Sequence, residues 1–160
     1  MRRILMMAAA IAFGAAMVIL GPTGQASSAS QGTDLAISGF VAGGELNVET
    51  FHPVVFVFKL TNNGPRAITS SADQSYTSVQ NGSVTDQLCV FPNGNSFNAD
   101  SPFCEYGALK VNQSAQMTLI VQPDAAATGS VSVRVCSSNE SDVPDPVSRN
   151  DCLTQSVSLQ

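Results

Sequence analysis

Few side chains in this chain can do chemistry. His52 is the only histidine. A Ser-His-Asp triad would need it as the base, yet it stands before Pro53 and no G-x-S-x-G elbow occurs anywhere. A copper site of the kind built into β-sandwiches needs two histidines and a cysteine, which this chain cannot supply. His52 therefore reads as a surface turn residue. The four cysteines are Cys89, Cys104, Cys136 and Cys152, with spacings of 15 and 16 inside the two sequential pairs. Zinc sites use closer ligands, as in C-x2-C, so these cysteines read as disulfides. Carboxylates gather at Glu140, Asp142, Asp145 and Asp151, beside Asn139 and Asn150. Loop carboxylates can hold calcium, which makes Asp142, Asp145 and Asp151 the metal candidates, although no EF-hand spacing is present. Phe91, Phe97, Phe103 and Tyr106 crowd the stretch around Cys89 and Cys104. They are the candidate binding patch, because exposed loop aromatics anchor partners. No base-plus-nucleophile pair and no cofactor motif can be assembled, so the chain reads as no enzyme and as needing no cofactor.

The setting of these residues comes from the N-terminus. Arg2 and Arg3 precede an uncharged apolar stretch, residues 4–20, then Gly21-Pro22 and small residues up to Ala26 and Ala29. That is the layout of a secretory signal peptide, cleaved after Ala26 or Ala29. Domain organisation follows as residues 1–29 for the signal and 30–160 for one folded domain. The stretch of 17 residues is at the short limit for a bilayer span, so no stable membrane insertion is expected after cleavage. Beyond the signal, five basic residues stand against twelve acidic ones, five minus twelve or −7. With no basic patch to release counterions, nucleic acid is not a partner. An even cysteine count in an exported chain implies two disulfides. The protein is expected to be secreted, either released or associated with the cell envelope.

The pattern beyond the signal is that of strands. The run Val54-Val55-Phe56-Val57-Phe58-Lys59-Leu60-Thr61 ends at Asn62-Asn63-Gly64-Pro65. Both of its alternating faces are partly apolar, which predicts a central strand or one covered on both sides at its start. Residues 34–40 alternate ahead of it, and Leu46, Val48 and Phe51 suggest a short strand between. Residues 70–75 read as a polar loop and 76–79 as a strand. Asn81-Gly82 predicts a type I′ hairpin, with residues 84–91 returning from it and 92–102 as a long loop. Met117, Leu119 and Val121 alternate, as do Val131, Val133 and Val135, and finally Leu153, Val157 and Leu159. No window has helical periodicity. The expected fold is all-β, an Ig-like antiparallel β-sandwich of seven or eight strands with two disulfides. Three disulfide pairings are possible. Parity selects one: Cys136 and Cys152 both fall opposite the valine face, so adjacent strands can join them. That leaves Cys89 with Cys104, stapling the loop after the strand at 84–91.

These pieces together resemble the bacterial and archaeal Ig-like conserved-repeat domains of surface proteins, of the cell-adhesion-related type. The matching residues are Asp34-Leu35, the corner Leu60-Thr61-Asn62-Asn63-Gly64-Pro65, the turn Gly107-Ala108-Leu109, and Asp145-Pro146-Val147-Ser148-Arg149-Asn150-Asp151. Asn112 stands where the family usually has glycine, and Asn tolerates the left-handed conformation. The resemblance implies a non-catalytic module with a structural or adhesion-type role, binding a protein or cell-surface ligand. The alternative is a secreted small-molecule carrier of similar architecture, resembling the acidic, two-disulfide chromophore-binding apoproteins of actinobacteria.

Overall fold

β-branched and aromatic residues crowd a helix but fit a pleated sheet. In the computed structural model the apolar run forms strand β2, Val54–Asn62. The structure describes residues 32–42, 52–99, 101–139 and 144–159. The export signal with its cleavage positions, and the short strand read at Leu46, Val48 and Phe51, lie outside the described residues.

Nine strands are described. β2 is flanked by β1 (Leu35–Ala42) and β7 (Ser114–Pro123). β4 (Gly82–Val90) and the short β5 (Ser96–Asn98) complete a sheet of order β1-β2-β7-β4-β5. The second sheet has the order β6-β3-β8-β9, from β6 (Phe103–Glu105), β3 (Ala72–Gln80), β8 (Ser130–Asn139) and β9 (Cys152–Ser158). All pairings are antiparallel. The only helical element among the described residues is a 3-10 turn, Ser148–Asn150.

The core follows from alternation. Val54, Phe56, Phe58 and Leu60 of β2 face inward with their register partners Val121, Leu119, Met117 and Ala115 of β7. Val131, Val133 and Val135 meet them from β8. Each fully buried side chain of this size contributes about 1.5–3 kcal/mol. β2 is central, as both of its faces predict. On its outer face Val57 is also buried, while Lys59 is exposed.

Three sequence expectations are corrected. Ala72 and Gln74, read as part of a polar loop, are fully buried in β3. The stretch 92–102, read as loop, contains β5. Asn81-Gly82 does not close a hairpin. Asn81 has φ +58, but Gly82 is not in the left-handed region, and β3 and β4 belong to different sheets. The chain there turns a corner between layers. Glycine is needed because a Cβ at position 82 would lie 2.8 Å from the Gln122 carbonyl oxygen. At Asn112 the left-handed conformation is present, with φ +61.

Both disulfides pair as parity predicts. Cys136 and Cys152 are directly opposite each other on β8 and β9, with Cα atoms 4.1 Å apart on the outer face. Cys89–Cys104 does more than staple a loop. Cys89 faces inward from β4 and Cys104 faces inward from β6, so this fully buried bridge joins the two sheets.

Candidate functional site

The inter-sheet disulfide organises the aromatic end of the sandwich. Tyr106 follows β6 and is 4 % exposed, with its hydroxyl donating to Gln74 Oε1 at 2.7 Å. Burial pushes its phenol well above the ordinary range, and the Asp73 charge adds to this. Phe91 stands edge-on to Tyr106, with ring centroids 6.2 Å apart. Phe97 packs on Phe91 at 5.4 Å and is 38 % exposed. A chain of rings therefore runs from the core to the solvent. Phe103 is 48 % exposed but stands elsewhere. Its register row runs Phe103–Ser75–Cys136–Cys152 across the outer face of the second sheet. The structure thus brings Phe91, Phe97 and Tyr106 together, with only Phe97 well exposed, and sets Phe103 on another surface.

Two glutamines under this end were not readable as buried. Gln87 is 3 % exposed and directs its amide Nε2 at Cys104 Sγ, 3.4 Å away. Gln74 is fully buried, and its Nε2 has no hydrogen-bond partner. Glutamine is ordinarily a surface residue. Here the disulfide sulfur and the Tyr106 hydroxyl give each a partner inside the core.

The open side of the sandwich lies between β3 and β4. Each strand carries a bulge, at Thr77 between Tyr76 and Ser78, and at Thr85 between Val84 and Asp86. The Thr85 hydroxyl donates to the Ile120 carbonyl at 3.2 Å. The Thr77 hydroxyl lies 3.5 Å from the Arg134 carbonyl. Between the strands is a groove of about 310 Å³ lined by Tyr76, Thr85, Asp86, Gln87, Asn98 and Ser101 among others.

The carboxylates serve as ties between chain segments. Asp145 accepts from the backbone N–H of Leu35 at 2.6 Å and of Val147 at 2.8 Å. Asp34 accepts from Asn150 Nδ2 at 2.7 Å. Of the calcium candidates, Asp142 lies outside the described residues. Among the described residues no three His, Cys, Asp or Glu side chains are grouped so as to hold a metal ion. His52 is exposed beside Pro53. Among the described residues no helix is long and apolar enough to cross a membrane.

Asp151 has a consequence for stability. Desolvation, followed by the charges of Asp145 and Asp34, raises its carboxyl from 3.8 to about 6. One of its oxygens is buried without a hydrogen-bond partner. A raised carboxyl pKa in the folded state gives stability that is complete below the unfolded value and lost as pH rises through the folded one. Stability from this site is therefore expected to fall between about pH 4 and pH 6. Asp151→Asn should remove that fall. It is expected to raise stability at pH 7 by on the order of 1 kcal/mol, a figure discounted for solvent screening. Melting temperatures of both proteins across the acid-to-neutral range check this, and the gap should vanish at the acid end.

The folded chain is thus an all-β, two-sheet, disulfide-clasped sandwich. No protein-family model and no curated protein sequence matches it. Similar solved structures include the CARDB domain of the PF1109 protein from Pyrococcus furiosus, crystallised with di-metal ions. It has 15% identity and a TM-score of 0.47, over 81% of this chain and 90% of that one. AggA, the major subunit of aggregative adherence fimbriae type I from Escherichia coli, has 13% identity and a TM-score of 0.44, over 79% and 95%. AvmM, which catalyses macrocyclization in alchivemycin A biosynthesis, has 10% identity and a TM-score of 0.46, over 78% and 88%. Likenesses at this level do not assign a role.

Proposed function

We propose that this protein is an exported, non-catalytic binding module of Ig-like architecture, acting outside the cytoplasm on a protein or cell-surface ligand. The observation that carries the reading is the ring chain Tyr106–Phe91–Phe97. It holds an exposed aromatic on a buried, disulfide-tied base. An aromatic held this way loses little conformational freedom on binding, which is how anchor residues gain their energy. The scarcity of catalytic groups supports the non-catalytic part: the single histidine is exposed, and no G-x-S-x-G elbow accompanies it.

Phe97→Ser tests it. Phe97 is more than a third exposed, so its loss should cost only about 1 kcal/mol in thermal unfolding. Capture of partners from culture medium and cell envelope, with the protein as bait, should fall by about tenfold or more. Phe103→Ser, on the other surface, should leave capture unchanged. A loss of several kcal/mol with undiminished capture would mean that Phe97 is core and the reading is wrong.

A further inference from the structure

We propose that the groove between β3 and β4 is a second binding site, one that takes a neutral, hydroxyl-rich ring: a hexose or N-acetylhexosamine unit. The site adjoins the aromatic end through Gln87 and β5 but does not rest on the function proposed for it.

The groove lies beside two bulges: Thr85 lines it, and Thr77 follows the lining residue Tyr76. A bulge adds one residue to one strand, bends it and increases its twist. Thr77 and Thr85 place bulges on the two strands that border the open side. β5 with Ala99 covers β4 from Gln87 to Val90, and β6 with Pro102 covers β3 from Asp73 to Tyr76. The remaining edges would otherwise be templates for an added strand. Bulged, twisted edges reject an extended peptide, so the space between them suits a compact ligand.

The lining chemistry narrows the ligand further. Asp86, Asn98, Ser101 and Thr85 supply carboxylate, amide and hydroxyl groups, Tyr76 supplies a ring, and Val84 and Ala99 add small apolar surfaces. An apolar ligand would strip water from these groups without replacing its hydrogen bonds. Among the described lining residues an anion would meet Asp86 and no cationic side chain. A cation would find one carboxylate among them, which already accepts from the Gln87 backbone N–H at 2.8 Å. A sugar ring has neither charge. Adjacent hydroxyls can donate to Asp86 and exchange hydrogen bonds with Asn98, since planar carboxylate and amide groups offer paired acceptors and donors. The C–H face of the ring can lie on Tyr76. About 310 Å³ is at the lower end of ligand-pocket volumes, roughly 300–1,000 Å³, which leaves room for one or two such rings.

The experiment is an amide-resolved NMR titration of the protein with glucose, galactose and N-acetylglucosamine, and with cellobiose, lactose and chitobiose. The expected result is saturable shifts in the millimolar range, centred on Thr85, Asp86, Gln87, Asn98 and Ser101. Tighter binding of a disaccharide would identify the end of a glycan chain as the ligand, and equal binding would identify a single ring. Asn98 is exposed on a short edge strand, so Asn98→Ala should fold, as the unchanged remainder of the spectrum would show, and should weaken binding about five- to tenfold. The proposal is overturned if none of the six sugars gives a saturable shift, if the shifts centre elsewhere, or if a folded Asn98→Ala protein binds as well as the parent.

Discussion

Replacing Asn62 with leucine is expected to destabilise the protein by about 3–5 kcal/mol, although the two side chains share the same heavy-atom branching. Asn62 is fully buried at the end of β2. Its Nδ2 donates to the carbonyl oxygens of Arg66 at 2.8 Å and Leu109 at 3.2 Å. Its Oδ1 accepts from the backbone N–H of Gly64 at 3.1 Å and lies 3.5 Å from that of Asp34. One side chain thus serves four backbone groups from three parts of the chain: the start of β1, the corner after β2, and the loop before β7. A leucine would take this partner from the Gly64 and Asp34 N–H groups and the Arg66 carbonyl, while the Leu109 carbonyl keeps the Ile68 N–H at 2.9 Å. Each unsatisfied group costs about 1–3 kcal/mol, and relaxation toward solvent keeps the sum below the simple total. Aspartate should not rescue. It keeps the acceptor but loses both donors and sets a buried charge against two carbonyls. Asn63 next door is exposed, and Asn63→Ala should stay within about 0.5 kcal/mol. Urea unfolding of the three variants decides the matter. A loss below about 1 kcal/mol for Asn62→Leu would show that the corner satisfies its backbone in some other way.

The same corner shows what could be read from sequence and what could not. Asn62-Asn63-Gly64-Pro65 is recognisable as a turn by residue type. Which asparagine matters is set by burial, a tertiary property. Gly64 is needed because a Cβ there would lie 2.5 Å from the Asp34 backbone nitrogen, a contact between segments that no local pattern reveals. Alternation located β2, β7, β8 and β9, because each has an unbroken period of two with one valine- or leucine-rich face. It also found the cystine pairing on β8 and β9, since parity says which residues share a face. Alternation failed where the period itself breaks. Tyr76 and Val79 both pack against the core because the Thr77 bulge shifts the phase between them, and Val84 and Gln87 behave alike around Thr85. The groove proposed as a sugar site lies at those two phase breaks. β5 and β6 span three residues each, too few for any period to register. Gln74 was invisible as a core residue because its partner, the Tyr106 hydroxyl, lies 32 positions away.

Removing the inter-sheet bridge, Cys89→Ala with Cys104→Ala, is expected to cost about 4–5 kcal/mol, against about 3 kcal/mol for Cys136→Ala with Cys152→Ala. The sequence separations are 15 and 16, so the loop-closure contribution is about 3 kcal/mol in both cases. The comparison therefore isolates what differs. Cys136 and Cys152 sit on adjacent, laddered strands with partly exposed side chains, and their loss opens no interior. Cys89 and Cys104 are fully buried, and their sulfurs face the Gln87 amide, itself 3 % exposed. Two alanines leave a void there and take away the only acceptors on that amide's Nε2 among the described residues, adding about 1–2 kcal/mol. A total near 5 kcal/mol is comparable with the whole stability of many small domains, about 5–15 kcal/mol, so this variant should be close to unfolding at physiological temperature while the other stays folded. The effect should also be directional. β6 is three residues long and holds to β3 by a short ladder, so without the bridge the segment carrying Phe91, Phe97 and Tyr106 should exchange its amide hydrogens before β2, β7 and β8 do. Hydrogen exchange on the two double variants reads this directly. Equal losses of stability, with protection falling evenly across both sheets, would mean that the bridge acts only through chain entropy and does not hold the aromatic end to the core.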